Sequence, residues 1–290
     1  MKALDLVRLK ELMNITTGKS EIRIGLIDGP VATKHPDLIE ANIRRITGKT
    51  SVSCINNSSF ACMHGTFLAG ILSAKRESMA PAICPKCTLL VRPIFSEIVP
   101  LQGPVPVATP AELAKAIIEC IEAGARVINL SLAVTHPSSR EEQILQEALD
   151  YAAIRGTIVV AASGNQGTIG STVITRHTGV IPVVACNIHG LPVNQSNLGI
   201  TIGRKGLCAP GEDITSLSSQ GQSIRYGGTS VATPFVTGTI ALLWSKFPHA
   251  SATEIRLALK NSFNSNRRSI IPRLLDAWEA YNSLAIKYHK

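Results

Sequence analysis

Five short apolar runs alternate with longer segments that carry helix signals, and this alternation leaves few architectures open to the chain. The runs fall at residues 22–28, 89–94, 126–132, 157–162 and 181–186. Among them lie a small-residue segment over 64–72, a helix opened by Thr109-Pro110-Ala111-Glu112 and closing at Ala123-Gly124, and an amphipathic helix over 139–155. In the second of these Thr109 is a cap, Pro110 suits the first helical position and Glu112 complements the dipole. Strands alternating with helices predict a mostly parallel sheet covered by helices on both faces, a three-layer α/β fold. Neither a repeat nor a linker interrupts the 290 residues, so a single domain is expected over 1–290, with 1–20 as a helical lead-in. Residues 42–63 read as strand-like pieces and a polar loop, 101–110 as a proline-rich surface loop, and the stretch around Cys208-Ala209-Pro210-Gly211 as loop-rich. Ser251-Ala252-Thr253-Glu254 is a capping box, and a last helix is expected over roughly 273–285.

Composition narrows the function classes. The longest apolar runs are too short to span a bilayer. Net charge is +9, but the basic residues are scattered and not interleaved with aromatics, so no nucleic-acid surface is read. Such a field suits an acidic peptide or protein substrate. The first residues, Met1-Lys2-Ala3-Leu4-Asp5-Leu6-Val7-Arg8, hold no uninterrupted apolar core and no small-residue cleavage site, so no signal peptide is read and a cytoplasmic location is expected. Seven cysteines leave at least one unpaired. Cys54 with Cys62, and Cys84 with Cys87, are each spaced for a local disulfide, and the four together for a thiolate zinc site. Without a signal peptide, reduced thiols are the default. Nothing else signals a metal, and no cofactor is expected.

Chemistry concentrates in three places. Gly227-Gly228-Thr229-Ser230-Val231-Ala232-Thr233-Pro234 turns sharply into an apolar helical run, and Pro234 requires that helix to begin near Ser230. A serine hydroxyl then sits at a helix N-terminus, where free N–H groups favour developing negative charge. Asp28 ends the first strand, and an acid at the C-terminal end of a buried strand is where open α/β sheets keep functional groups. His64 opens a buried helix, His64-Gly65-Thr66-Phe67-Leu68-Ala69-Gly70. His35, in His35-Pro36-Asp37-Leu38, reads as part of a structural turn.

The order Asp28, His64, Ser230 is the subtilisin order of a serine-hydrolase triad. The local sequences around all three resemble the subtilase motifs, as do Asn129-Leu130-Ser131-Leu132 and Ala161-Ala162-Ser163-Gly164-Asn165. The resemblance covers roughly residues 15–280. It implies a subtilisin-like fold and a serine endopeptidase with Ser230 as nucleophile, His64 as base and Asp28 as its orienting group. It further implies an oxyanion hole from the Ser230 N–H and the Asn165 amide, a peptide substrate pairing with Ser131, Leu132 and Ala133 as an added strand, and a first pocket walled by Ala161, Ala162, Ser163 and Gly164.

Departures from the family pattern sharpen the reading. Gly29 stands where the family usually has Ser or Thr, and Phe67 where many members have a second His. The acid-rich loop that binds calcium in secreted subtilisins is missing between His64 and Leu89, so no metal is expected, and Asp28 lies too near Met1 for a prodomain. These features resemble the cyanobactin-maturation proteases within the family. That resemblance implies a precursor peptide as partner and either leader removal or macrocyclisation. Only 36 residues separate Asp28 from His64, which leaves no room for the helical lid of the macrocyclases, so hydrolysis and leader removal are expected. A general intracellular subtilase and a non-catalytic peptide-binding scaffold are the competing readings. Arg176 is a further candidate, biasing the first pocket toward polar or acidic residues.

Overall fold

The structure is a computed structural model, and it describes residues 2–46, 48, 54–97, 108–132, 139–260 and 269–288. Two short helices, α1 (Lys2–Leu6) and α2 (Leu9–Ile15), lead into strand β1 (Arg23–Asp28). Then come β2 (Ile43–Arg45), α3 (Phe60–Ser73), β3 (Thr88–Pro93), α4 (Pro110–Glu122), β4 (Val127–Leu130), α5 (Ser139–Ile154) and β5 (Ile158–Ala162). The second half runs α6 (Val173–Arg176), β6 (Val180–Cys186), α7 (Ile200–Lys205), β7 (Leu207–Pro210), β8 (Ile214–Leu217), β9 (Ser223–Tyr226), α8 (Thr229–Lys246), α9 (Ala252–Lys260), β10 (Arg273–Leu274) and α10 (Ala277–Tyr288).

Eight strands form one sheet in the order β10-β7-β6-β5-β4-β1-β3-β2, and every pairing in it is parallel. The hairpin β8–β9 is separate and antiparallel. Side chains alternate across the sheet, so each strand feeds two cores. Ile24 and Leu26 join the core formed with α2, α3, α8, α9 and α10, whereas Ile27 joins the one formed with α4, α5 and α6. These are the three layers that the strand–helix alternation predicts. From β1 the chain moves one way to β3 and later the other way to β4 and onward. The carboxyl ends of β1 and β4 therefore flank a reversal of strand order, where open α/β sheets build sites.

α8 is central. Every residue from Thr229 to Ser245 except Ser230 is buried, so the helix is covered on all sides. α4 is fixed differently. Thr109 caps it, and Arg92 of β3, with no exposed surface, bonds Glu112 at 2.7 Å and Glu119 at 2.6 Å.

Several expectations about elements are corrected. The lead-in is two helices, broken where Arg8 takes a left-handed conformation (φ 49°). α3 starts at Phe60, not at His64, because Ser59 accepts from the Cys62 N–H and so caps the helix a full turn earlier. The stretch read as loop-rich contains β7, and α7, β8 and β9 flank it. The last helix begins at Ala277, since Arg273–Leu274 instead pairs with β7 as an edge strand. Ala133, residues 101–107 of the proline-rich stretch and residues 47 and 49–53 of the polar loop lie outside the described residues.

Cysteine chemistry divides the two pairs. Cys54 and Cys62 form a disulfide, with Cα atoms 5.5 Å apart, which corrects the reduced-thiol expectation there. Cys84 and Cys87 remain buried thiols. Cys62 lies in the first turn of α3, while the Cys84 N–H bonds the Leu72 carbonyl at its far end, about 15 Å along the helix. No single zinc ion bridges that span. Burial pushes the Cys120, Cys186 and Cys208 thiols up to about 12. Unfolding without reductant should therefore expose five reactive thiols to a maleimide reagent, rising to seven after reduction, as counted by intact-mass shifts. Seven without reduction would contradict the bridge.

Candidate active site

Asp28 ends β1 with no exposed surface. One carboxylate oxygen, Oδ1, accepts the Gly29 N–H at 2.7 Å and faces His64 Nδ1 at 2.8 Å. A carboxylate can only accept, so Nδ1 carries the proton in this pair and Nε2 is left as the basic nitrogen. Burial alone would lower the His64 pKa, but the Asp28 charge and hydrogen bond outweigh it and hold the imidazole above its ordinary range. The ring is 12% exposed and stacks on Phe60, one turn earlier in α3, with centroids 5.6 Å apart.

The closeness of α3 to the end of β1 depends on two glycines. A Cβ at Gly65 would lie 2.5 Å from the Gly29 carbonyl oxygen, and a Cβ at Gly29 would collide with the Ala61 carbonyl. The helix backbone occupies the volume where the family's usual Ser or Thr side chain would stand. Among the described residues, the buried Asp28 Oδ2 meets no hydrogen-bond donor.

Ser230 is the second residue of α8. Its hydroxyl makes no hydrogen bond to His64 among the described residues. Its carbonyl accepts from Ser131 Oγ at 2.8 Å. The register that pairs Ile27 with Leu130 brings Asp28 and Ser131 to the same edge of the sheet.

Asn165 follows the end of β5 and is exposed. Its Oδ1 accepts both the backbone N–H (2.9 Å) and the hydroxyl (3.0 Å) of Thr229, while that hydroxyl accepts from the Gly164 N–H at 3.2 Å. Fixing Oδ1 fixes the whole planar amide, and Nδ2 makes no hydrogen bond among the described residues. Gly228 (φ 116°) carries no Cβ, which keeps the backbone directly below that amide clear. Thr229 is thus a site residue that the sequence reading missed. Its only signal was a hydroxyl immediately before Ser230.

The other expected residues are placed as follows. Ser131, Leu132, Ala162 and Ser163 are buried at the sheet edge, Gly164 is half-buried, and Ala161 packs in the core with α4 and α5. His35 is in a turn, its Nδ1 accepting the Asp37 N–H at 3.0 Å. Arg176 is half-exposed and pairs with Glu142 of α5 at 2.7 Å. Glu97 lies close to Cys54 and Cys62, but those sulfurs are joined and present no thiolate to a metal.

The arrangement holds a polarised imidazole, a serine at a helix N-terminus and an oriented amide donor at one sheet edge. That set serves acyl transfer. The profile of the subtilase family matches residues 19–275. A thermophilic serine proteinase of Bacillus sp. (strain AK1) is 31% identical over 251 residues, and the chain, matched over 86% of its own length, spans 58% of that relative. Among solved structures, a mutant of the protease domain of PatA superposes with a TM-score of 0.81 at 30% identity, covering 94% of this chain and 98% of the other. The prenylagaramide maturation protease PagA does so with a TM-score of 0.81 at 28% identity, covering 95% and 98%.

The Gly29 contact predicts that Gly29→Ser does not restore a missing hydrogen bond to Asp28. The added atoms have no room, and the variant should lose about 1–3 kcal/mol of stability, read as a lowered thermal midpoint. A midpoint at or above that of the wild type would show that α3 can move aside.

Proposed function

The chain belongs to the subtilase family, and we propose that it is a serine endopeptidase that removes the leader from a ribosomally made precursor peptide by acyl-enzyme hydrolysis. The chemistry rests on one observation above all, the His64–Asp28 contact of 2.8 Å at the sheet edge that also presents Ser230. Ser230 Oγ attacks the scissile carbonyl while His64 Nε2 takes its proton and later passes it to the leaving amine. Asp28 holds the imidazole tautomer and stabilises its cation. The oxyanion is received by the Ser230 N–H and Asn165 Nδ2, which donate without adding a titrating charge. The substrate backbone pairs along Ser131–Leu132 as an added strand, with Ala162, Ser163 and Gly164 at the first pocket.

The substrate class rests on likeness to PatA and PagA, of which PagA is by its name a maturation protease. Hydrolysis is favoured over macrocyclisation because, among the described residues, no helix lies between Asp28 and Phe60 to cover the site. Water then reaches the acyl-enzyme. A net charge of +9 suits an acidic leader.

Two measurements test this. With a candidate precursor peptide, the wild type should give one linear cut by mass spectrometry, Ser230→Ala none, and Asn165→Ala a rate about 100- to 1000-fold lower. A product one water lighter than the linear fragment would mean cyclisation, and peptide binding without turnover would mean a scaffold. The second is pH dependence. The raised His64 pKa means that the neutral base forms only as pH climbs past a value above 6.5, so kcat/KM should rise along a limb centred above that point. Removing the charge in Asp28→Asn leaves burial unopposed. The limb should move to lower pH while kcat falls about 10,000-fold. Stability carries the matching sign: the charged pair stabilises the fold below about pH 6.5, and that increment disappears as pH rises through the raised value. A limb unmoved in Asp28→Asn would refute the pairing.

A further inference from the structure

Pro234 stands four residues after Ser230 in α8 and has no N–H to give. The Ser230 carbonyl therefore lacks its helical partner, at a half-buried place where an unpaired oxygen carries a cost. Ser131 Oγ supplies the missing donor at 2.8 Å. That hydroxyl has a single proton, so it must accept in its other contact, from Asn129 Nδ2 at 2.8 Å. Asn129 Oδ1 in turn accepts from Thr237 Oγ1 at 2.9 Å. The result is a one-way chain of three hydrogen bonds from Thr237, through Asn129 and Ser131, to the carbonyl of Ser230. Asn129 and Thr237 have no exposed surface, and Ser131 has 4%.

Thr237 does something its neighbours do not. Thr233, Thr239 and Ser245 each donate back to the carbonyl four residues earlier in α8, all at 2.7 Å. Thr237 instead reaches across to β4. The chain thus ties α8 to β4 at two points seven residues apart along the helix, about 10 Å. One of them is the first turn, where a helix is least held by its own bonds.

We propose that Thr237 and Asn129 are positioning residues for the nucleophile, acting through Ser131 to fix the Ser230 backbone and hence the direction of its hydroxyl. The proposal rests on the reading of Ser230 as nucleophile. Its logic is one of proton direction. With the Thr237 hydroxyl gone, Asn129 Oδ1 has no donor. A half-turn of the amide then presents Oδ1 to Ser131, which donates to it and releases the Ser230 carbonyl. The disturbance reaches the active site from a side chain that lies two helical turns away and touches no substrate.

The experiment uses Thr237→Val, which keeps shape and loses the donor, Thr237→Ser, which restores it, and Thr239→Val as a control of the same burial with no link to Ser230. The probe is a fluorophosphonate, which phosphonylates an activated serine with loss of fluoride and needs no knowledge of the natural substrate. Its end point counts competent sites, so misfolded protein does not enter the rate. Thr237→Val should react about tenfold more slowly per titrated site, Thr237→Ser at close to the wild-type rate, and Thr239→Val at the wild-type rate despite a lowered thermal midpoint. With a cleaved peptide, the loss should appear in kcat and not in KM, and the acid limb of the pH profile should stay in place because Asp28 and His64 are untouched. Should Thr237→Val give too few titratable sites, Thr237→Ala supplies the same comparison. A wild-type rate in the donor-less variant, or an equal loss in Thr239→Val, overturns the proposal. Labelling that persists in Ser230→Ala instead removes the nucleophile reading itself, and the proposal with it.

Discussion

A helix buried on every side has no water to complete its hydrogen bonds, and the molecule is arranged around satisfying one such helix. α8 lies between the parallel sheet and a cover that includes α2, α3, α9 and α10. Its apolar surface holds the layers together, and its polar groups must find partners inside the protein. Hydroxyls placed along it answer that demand locally by bonding back one turn. Opposite Pro234 the helix cannot close its own ladder. There it relies on Ser131, just past the end of β4, and the residue whose carbonyl is rescued is Ser230. A packing problem and the placement of the proposed nucleophile have the same solution.

The second constraint is steric. Asp28 and His64 come from different layers, the sheet and α3, and a hydrogen bond of 2.8 Å between them needs the two backbones nearly in contact. Gly29 and Gly65 permit that approach. No side chain fits at position 29, and among the described residues Asp28 Oδ2 meets no donor.

Much of this was legible in the residues. The strands β1, β3, β4, β5 and β6 announce themselves as short apolar runs because both of their faces are covered, and α4 because Thr109 and Pro110 mark its start. The motifs around Asp28, His64, Asn165 and Ser230 were visible for a different reason, as local patterns with chemistry in them. What escaped the reading depends on tertiary partners. β10 is two half-buried residues that are a strand only because β7 is beside them, and β9 alternates between exposed and half-buried residues in a sequence rich in turn residues. The true start of α3 is set by Ser59, whose capping bond to Cys62 is not distinguishable in sequence from any other serine in a polar loop. Thr229 and Thr237 were hidden because nothing local says where a threonine hydroxyl will point.

The distribution of donors around Asp28 bears on the charge that reaches His64. Both donors to Asp28, the Gly29 N–H and His64 Nδ1, meet the same oxygen. Each further neutral donor to a buried carboxylate would draw off part of its charge and weaken its field at the imidazole. Among the described residues no further donor meets Oδ2, so the protein itself adds no such dilution. Burial strengthens what remains, because little solvent intervenes between the two groups. The His64 cation is therefore favoured even though its surroundings are dry, in keeping with the direction of its shift. The same close approach of α3 that leaves no room for a side chain at position 29 thus sets the Asp28 charge against His64, the proposed base.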